Sequence, residues 1–221
     1  MSSMYELIMD LPLFKGAGKP MISQFLEKTR LDFLNYEPGS IILENENKVT
    51  ELNFLIKGSA ISRHELYDNK IIVDEFVGAG RVFGAERLFG LKIHHPFHLI
   101  ARSKVSVMRF DKAQYMNLLH QDDLFLLNFF NYLSIRAQRT AFFSEKCLKS
   151  DLKSKIATII FSVCQPSPIA VEIRANIVTL AEICSKTEDE IMQEMAVLVE
   201  KGAIIFENDK IIIPDIDFFV E

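Results

Sequence analysis

The sequence predicts an α+β chain: an antiparallel β-roll entered through short helices, a long helix behind it, and a small C-terminal helical domain closed by a β-hairpin. Three observations predict this. Between residues 32 and 110 the apolar runs are short, of β type, and cut by turn residues, as an antiparallel barrel or sandwich requires. After Asp111 the apolar spacing becomes helical and stays so for about 35 residues. The chain then closes on GAIIFENDKIIIPD, two apolar runs around a turn.

Each element has its own signal. Leu7, Ile8 and Leu11, then Met21, Ile22, Phe25 and Leu26, recur at helical spacing, and Gly16, Gly18 and Pro20 divide them into two short helices. LDFLNY ends at Glu37-Pro38-Gly39, and SIILE ends at Asn45-Glu46-Asn47. LNFLIKGSAISRHEL contains Gly58 and runs to the turn Asp68-Asn69-Lys70. IIVDEFV, Gly78-Ala79-Gly80, VFG, FHLIA and VSVMRF complete the roll.

In the long helical stretch, Leu126, Phe130, Leu133, Ala137, Thr140, Ser144 and Cys147 alternate in steps of four and three, a coiled-coil-like seam. A second stripe, Phe125, Phe129, Tyr132 and Phe143, could face the roll. A helix apolar around more than half its circumference is expected to be buried twice, against its own roll and against a second copy. The plainer alternative is one amphipathic helix packed on its own domain. The expected dimer interface is Leu126, Phe130, Leu133, Ala137 and Thr140. Asp151 reads as the N-cap of the next helix, LKSKIATIIF, and as a hinge. Gln165-Pro166-Ser167-Pro168 ends that helix. VEIRAN, TLAEIC and a helix near 187–200 follow, and the final hairpin turns at Glu207-Asn208-Asp209. The expected domains are 1–110, 111–150 and 151–221.

Bulk properties narrow the function classes. A net charge of −5 gives no bulk attraction to nucleic acid or to anionic membrane. Cys147, Cys164 and Cys184 are scattered, with no CxxC pair and no Cys/His spacing for zinc or an iron–sulfur cluster. Three such cysteines suit reduced thiols in a cytosol better than a disulfide scaffold. MSSMYELIMDLPLFKG lacks the basic region and long apolar stretch of a signal peptide, and no apolar run is long enough to span a bilayer. A cytoplasmic protein without membrane partners is expected. No nucleophile–base pair or metal set suggests an enzyme.

The order of motifs resembles the CRP/FNR superfamily of bacterial transcription regulators over nearly the whole chain. LPLF at 11–14, Pro38-Gly39 followed by IIL, LNFLIKGSA, and GAGRVFG at 78–84 resemble its entry segment and roll strands. Asp151, SKIA at 154–157, TLAEIC and SKTEDEIMQEMAVLVEKGAI resemble its hinge and helix-turn-helix. The resemblance implies a jelly-roll sensor like a cyclic-nucleotide-binding domain, a dimerisation helix and a winged helix-turn-helix. It further implies a homodimer that binds double-stranded DNA, answers a small-molecule effector and meets RNA polymerase as a further partner.

Two departures qualify what is implied. The family's common reading helix, S-R-E-T-V-S-R, corresponds here to Thr187, Glu188, Asp189, Glu190, Ile191, Met192 and Gln193. Arginine bridges guanine O6 and N7, whereas a carboxylate accepts only from donors such as cytosine N4 and glutamine suits adenine. The guanine contact is therefore lost. Acids at a helix start also favour the dipole, so capping is the plainer role of Glu188, Asp189 and Glu190. Residues 148–221 carry seven Lys and Arg against thirteen Asp and Glu, a net of −6. Phosphate contacts must then come from local lysines: Lys149, Lys153, Lys155, Lys186 and Lys201. The expected DNA-contacting residues are Lys153, Lys186, Thr187, Glu188, Asp189 and Gln193.

The second departure lies in the effector pocket, expected at Phe83, Gly84, Ala85, Glu86, His95 and Pro96. Phe83-Gly84 is kept, but Ala85 stands where the family's ribose-binding glutamate would be and Glu86 lies one place later. His95-Pro96 replaces the phosphate-pairing arginine, so cAMP is disfavoured. His94, His95 and His98 invite a haem or metal reading, against which HHPFH as a plain surface loop is the simpler one.

Overall fold

The computed structural model describes residues 4–144, 149–165 and 168–219. Two compact units divide the chain: Met1–Ala60 with Gly78–Arg136, and Ile61–Val77 with Ala137–Glu221. The fold is mixed α and β with antiparallel sheets, as the residue patterns predict.

In the first unit, α1 (Met4–Met9), a 3-10 turn at Pro12–Phe14 and α2 (Lys19–Lys28) precede the roll. β1 (Asp32–Tyr36), β8 (Val105–Asp111), β3 (Glu51–Lys57) and β6 (Arg81–Phe83) form one antiparallel sheet in that order. β2 (Ile41–Leu43) pairs with β7 (His98–Ala101). Strand alternation makes β3 two-faced. Leu52 and Phe54 enter an aromatic core, while Glu51 and Asn53 point the other way. That core centres on Phe14, whose ring lies 5.1 Å from Phe25 and 5.8 Å from both Phe54 and Phe125. Each such ring taken from water stabilises the fold by about 1.5–3 kcal/mol.

The long helical stretch is two helices rather than one. Asp111 starts α3 (Lys112–Gln121) through a reciprocal cap with Gln114, both bonds at 2.8 Å. Asp122 is extended (φ −158°, ψ 137°) and its carboxylate accepts the Leu124 N–H at 2.9 Å, which starts α4 (Asp123–Ser144). An aspartate that caps competes with helix continuation, and this breaks the run expected from Asp111 onwards. In α4, Phe125 and Phe129 are buried in the first unit's core and Tyr132 packs against it, so this stripe faces the roll. Of the seam, Leu126 and Leu133 are half-buried, whereas Phe130, Ala137 and Thr140 are exposed. Cys147 and the side chains of Phe143 and Ser144 lie outside the described residues.

The second unit contains α5 (Leu152–Val163), β9 (Ala170–Arg174), α6 (Ile177–Cys184), α7 (Glu188–Glu200), β10 (Ile205–Glu207) and β11 (Lys210–Ile213). Asp151 caps α5 by accepting the Ser154 N–H at 2.9 Å. Burial would raise its carboxyl pKa, but the hydrogen bonds of this cap outweigh it and hold the group low. The final hairpin turns where expected, with Asn208 and Asp209 both at positive φ (50° and 59°), as a two-residue hairpin favours.

The hairpin of β4 (Ser59–Leu66) and β5 (Ile71–Gly78) joins this unit, although its residues were expected within the roll. Here the strand order is β10-β11-β9-β5-β4. β5 pairs antiparallel with β9, from Ile72 opposite Arg174 to Phe76 opposite Ala170. Ile71 and Val73 share a core with Val171, Ile173, Ile156, Ile160 and Leu198. Asp74 ties the pairing: it accepts from Arg63 at 2.7 and 2.8 Å and from Arg174 at 2.5 Å. Burial alone would raise the Asp74 pKa, but the two arginines outweigh it and hold the carboxyl below its ordinary value. The buried Glu75 accepts the Gln165 N–H at 2.7 Å.

Candidate ligand cavity and candidate nucleic-acid interface

Of the residues expected at an effector pocket, His95 lines a cavity and Gly84 lies beside it, against His95 and Glu51. Phe83 is packed against Phe97 with ring centroids 5.9 Å apart, and Ala85 belongs to the aromatic core. Gly84 has φ +95°, and a Cβ there would lie 3.0 Å from Val49 Cγ1 and 3.1 Å from the Glu51 carbonyl oxygen. The glycine is thus needed for the close approach of the strand beneath it. Only a three-residue 3-10 turn, Ala85–Arg87, follows. Glu86 accepts from Tyr132 Oη at 3.3 Å and pairs with Arg136 at 3.4 Å, so α4 occupies the carboxylate. Burial pushes the Tyr132 phenol far above its ordinary pKa, and Glu86 adds to this. Pro96 is half-buried.

His95 is 4% exposed, and burial lowers its pKa, opposed by Glu86 and aided by Arg87. Its backbone N–H donates to Asn47 O at 2.9 Å, and the Glu46 N–H donates to His95 O at 2.9 Å. These bonds clasp the loop after β2 against the segment before β7. A half-open cavity of about 330 Å³ lies between β2, this loop and β3. Asn53 and Glu51 line it and were not singled out in the sequence. The available signal was a lone asparagine inside the apolar strand ELNFLIK. Among the described residues, no group of three His, Cys, Asp or Glu is arranged to hold a metal ion.

In the second unit, Asn176 caps α6 by accepting the Thr179 N–H at 2.8 Å. Ser185, left-handed at φ 54°, ends it, and the Lys186 N–H reaches back to Ala181 O at 3.1 Å. Thr187 starts α7: its Oγ1 accepts the Glu190 N–H at 3.3 Å, and its own N–H donates to Glu190 Oε2 at 2.8 Å. Glu190 is therefore half of a capping box, which pulls its pKa down. Ile191, Met195 and Leu198 turn inward to a core shared with Leu180, Ala181 and Cys184. Glu188, Asp189, Met192 and Gln193 remain exposed.

The lysines are less available than the sequence suggests. Lys186 Nζ pairs with Glu194, whose other oxygen accepts the Leu152 N–H at 2.7 Å. That hydrogen bond raises the Lys186 pKa. Lys153 Nζ sits 4.5 Å over the Phe218 ring. Beside α7 runs a groove of about 380 Å³ whose walls include Lys153, Gln193, Val197 and Lys201. Glu194, which ties the turn lysine to the start of α5, was missed. Its place beside inward-facing Ile191 and Leu198 was the only hint.

A β-roll with this strand order, helices before and behind it, and a helix pair followed by a hairpin define the class. Residues 33–122 match the family model of the cyclic nucleotide-binding domain. Over 95% of its length the chain is similar to the catabolite activator protein of Thermus thermophilus, at 14% identity and a TM-score of 0.54, covering 97% of that chain. This is the CRP-like fold, in agreement with the resemblance read from the motifs. The Pseudomonas aeruginosa protein DNR is also similar, at 17% identity and a TM-score of 0.46, with 100% and 99% of the two chains covered. The isolated sensor domain of that transcriptional regulator has 16% identity and a TM-score of 0.48, over 60% of this chain and 91% of that one. No curated protein sequence matches the chain. Among the described residues no helix is long and apolar enough to cross a membrane.

Proposed function

We propose that the chain is a homodimeric, cytoplasmic DNA-binding transcription regulator that answers a small-molecule signal other than cAMP, and is not an enzyme. One observation carries this reading. In a chain with the fold of a catabolite activator protein, α7 buries Ile191, Met195 and Leu198 against α6 and leaves Glu188, Asp189 and Gln193 on an open face. Such a pair is a helix-turn-helix with α7 as the reading helix and β10–β11 as the wing. Gln193 would favour adenine and Glu188 would accept from cytosine N4. Lys149, Lys153 and Lys201 would supply phosphate contacts. Lys186 would supply less than an unpaired lysine, because Glu194 holds its charge.

The seam Leu126, Phe130, Leu133, Ala137 and Thr140, half-buried at the two leucines and exposed at the rest, would meet its twin, placing half-sites about 34–36 Å apart. RNA polymerase would be the further partner of the DNA-bound dimer. cAMP is disfavoured because Glu86 is engaged by Tyr132 and Arg136 and no arginine stands at position 95. The test is selection of bound fragments from a random DNA pool by the purified protein, with and without cell extract. Enrichment of two-fold symmetric sites supports the reading; an unenriched pool under both conditions contradicts it.

The Lys186–Glu194 pair and the acidic start of α7 favour one second reading, a ligand-binding or interaction module whose helix-turn-helix has lost DNA affinity. An unenriched pool would promote it.

A further inference from the structure

Of the cavities, charged clusters and exposed faces in the two units, the cavity between β2 and β3 carries an inference furthest. Its floor holds Asn53, 3% exposed, whose Nδ2 is buried without a hydrogen-bond partner. A buried donor left unpaired is costly to the fold, so such a group in a cavity calls for an acceptor supplied from outside. His95 borders the same space, and its imidazole makes no hydrogen bond to any described residue. Burial disfavours its charged form, and a neutral imidazole offers one N–H and one lone pair.

The walls set the ligand's charge. Glu44 and Glu51 are carboxylates each with one oxygen engaged, by Asn47 at 3.2 Å and by Arg109 at 2.9 Å respectively. Each keeps its other oxygen as an acceptor. Lys48 is the one cation in the lining. Arg109 offsets the charge of Glu51, but an anion would still meet the Glu44 carboxylate, which no described lysine or arginine pairs with; a cation could not accept from Asn53, and an apolar molecule would leave Asn53 unpaired. What remains is a neutral molecule carrying both acceptors and hydroxyl donors. The volume, about 330 Å³, lies at the lower end of small-molecule sites, and Ile41, Ile42 and Leu43 offer an apolar side for ring carbons.

We propose that this cavity binds a neutral polyhydroxylated molecule of sugar size, one ligand oxygen accepting from Asn53 and ligand hydroxyls donating to Glu44 and Glu51. The site shares only His95 with the pocket expected from the sequence. It deepens the proposed sensing role by naming a ligand class, and its test uses no DNA, so either can fail alone.

The test is calorimetry of the full chain with D-glucose, D-ribose and adenosine, with glucose 6-phosphate as the charged counterpart. Binding of at least one neutral probe is expected, weakened about tenfold or more in Asn53→Leu and severalfold in the exposed-rim variant Glu44→Gln. Response to the free sugars assigns a sugar; response to adenosine alone assigns a nucleoside. Without ligand, Asn53→Leu is expected to match or exceed the wild-type thermal midpoint by a few degrees, because it removes an unpaired donor of similar shape. A lowered midpoint would mean that the amide is already satisfied, overturning the proposal. Absence of binding by all three neutral probes, tighter binding of glucose 6-phosphate than glucose, or indifference to Glu44→Gln would overturn it equally.

Discussion

Gly84 and His95 are the residues at which the expected chemistry and the observed packing separate most. The sequence places Gly84 in the expected effector pocket; in the structure its φ of +95°, and the 3.0 Å that a Cβ there would leave to Val49 Cγ1, give it a packing role without any ligand. Gly84→Ala should therefore destabilise the ligand-free chain by about 1–3 kcal/mol. Urea unfolding checks this, and an unchanged midpoint would return the glycine to a purely ligand-binding role. His95 gives a pH signature. Burial holds its folded pKa below the unfolded value near 6.5, so as pH falls the unfolded chain takes up the proton first. Its contribution is complete above about pH 6.5 and declines below it, by at most about 1.4 kcal/mol per pH unit, until the folded pKa is reached. In unfolding series at pH 7.5, 6.5 and 5.5, His95→Gln should lose this component; an identical slope would show that His95 is not its source. The cap at Asp151 was legible from the sequence, because it acts on the N–H group three positions away. Asn53 was not, because its meaning depends on which strand face closes over a cavity.

At the scale of elements, the β4–β5 hairpin and α4 decide how the chain is partitioned. Strand existence and turn positions were legible throughout, since period and turn residues are local. Partner choice was not: IIVDEFV pairs as well with a roll strand as with β9, and only the cross-strand contacts select. Asp74 supplies the selecting contact. With a depressed pKa, it stabilises the fold above its unfolded pKa near 3.9, and this is lost as pH falls through the lower folded value. Asp74→Asn should cost about 1.5–3 kcal/mol at neutral pH, after allowing for partly exposed arginines, and should raise amide exchange in β5 and β9. Protection equal to wild type in both strands would remove Asp74 from that role. In α4 the stripe facing the roll, Phe125, Phe129 and Tyr132, was legible. The break at Asp122 was obscured because apolar residues continue in helical spacing on either side of it. Leu133→Glu would place a charge in the proposed seam at a cost of several kcal/mol. Sedimentation should find a wild-type dimer at micromolar concentration and a monomeric variant; a monomeric wild type would sink the two-sided helix.

For the whole molecule, charge and fold pull in opposite directions. The fold is that of a catabolite activator protein, yet residues 148–221 carry a net charge of −6 and the turn lysine is already paired. Non-specific affinity for DNA follows the number of phosphates neutralised, so the proposed binding should be weak off-site and lean on base contacts from α7. The fold class was legible because the order of elements and their turns is written locally along the chain. The sequence gives the residue types of the proposed reading surface but not its geometry, since Glu190 and Glu194 serve the protein's own backbone while Glu188 and Asp189 do not. Glu188→Arg is the sharpest probe of base reading by α7, because it leaves the Thr187–Glu190 cap intact and places a guanidinium on the open face. Equilibrium binding of wild type and Glu188→Arg to selected DNA, and to guanine-substituted versions of it, is the measurement. Tighter binding by the variant is expected at all sites, with a gain of about 1–3 kcal/mol in preference for guanine at one position of each half-site. Unchanged affinity and unchanged base preference would mean that α7 does not enter the major groove, and the DNA-binding claim would fail.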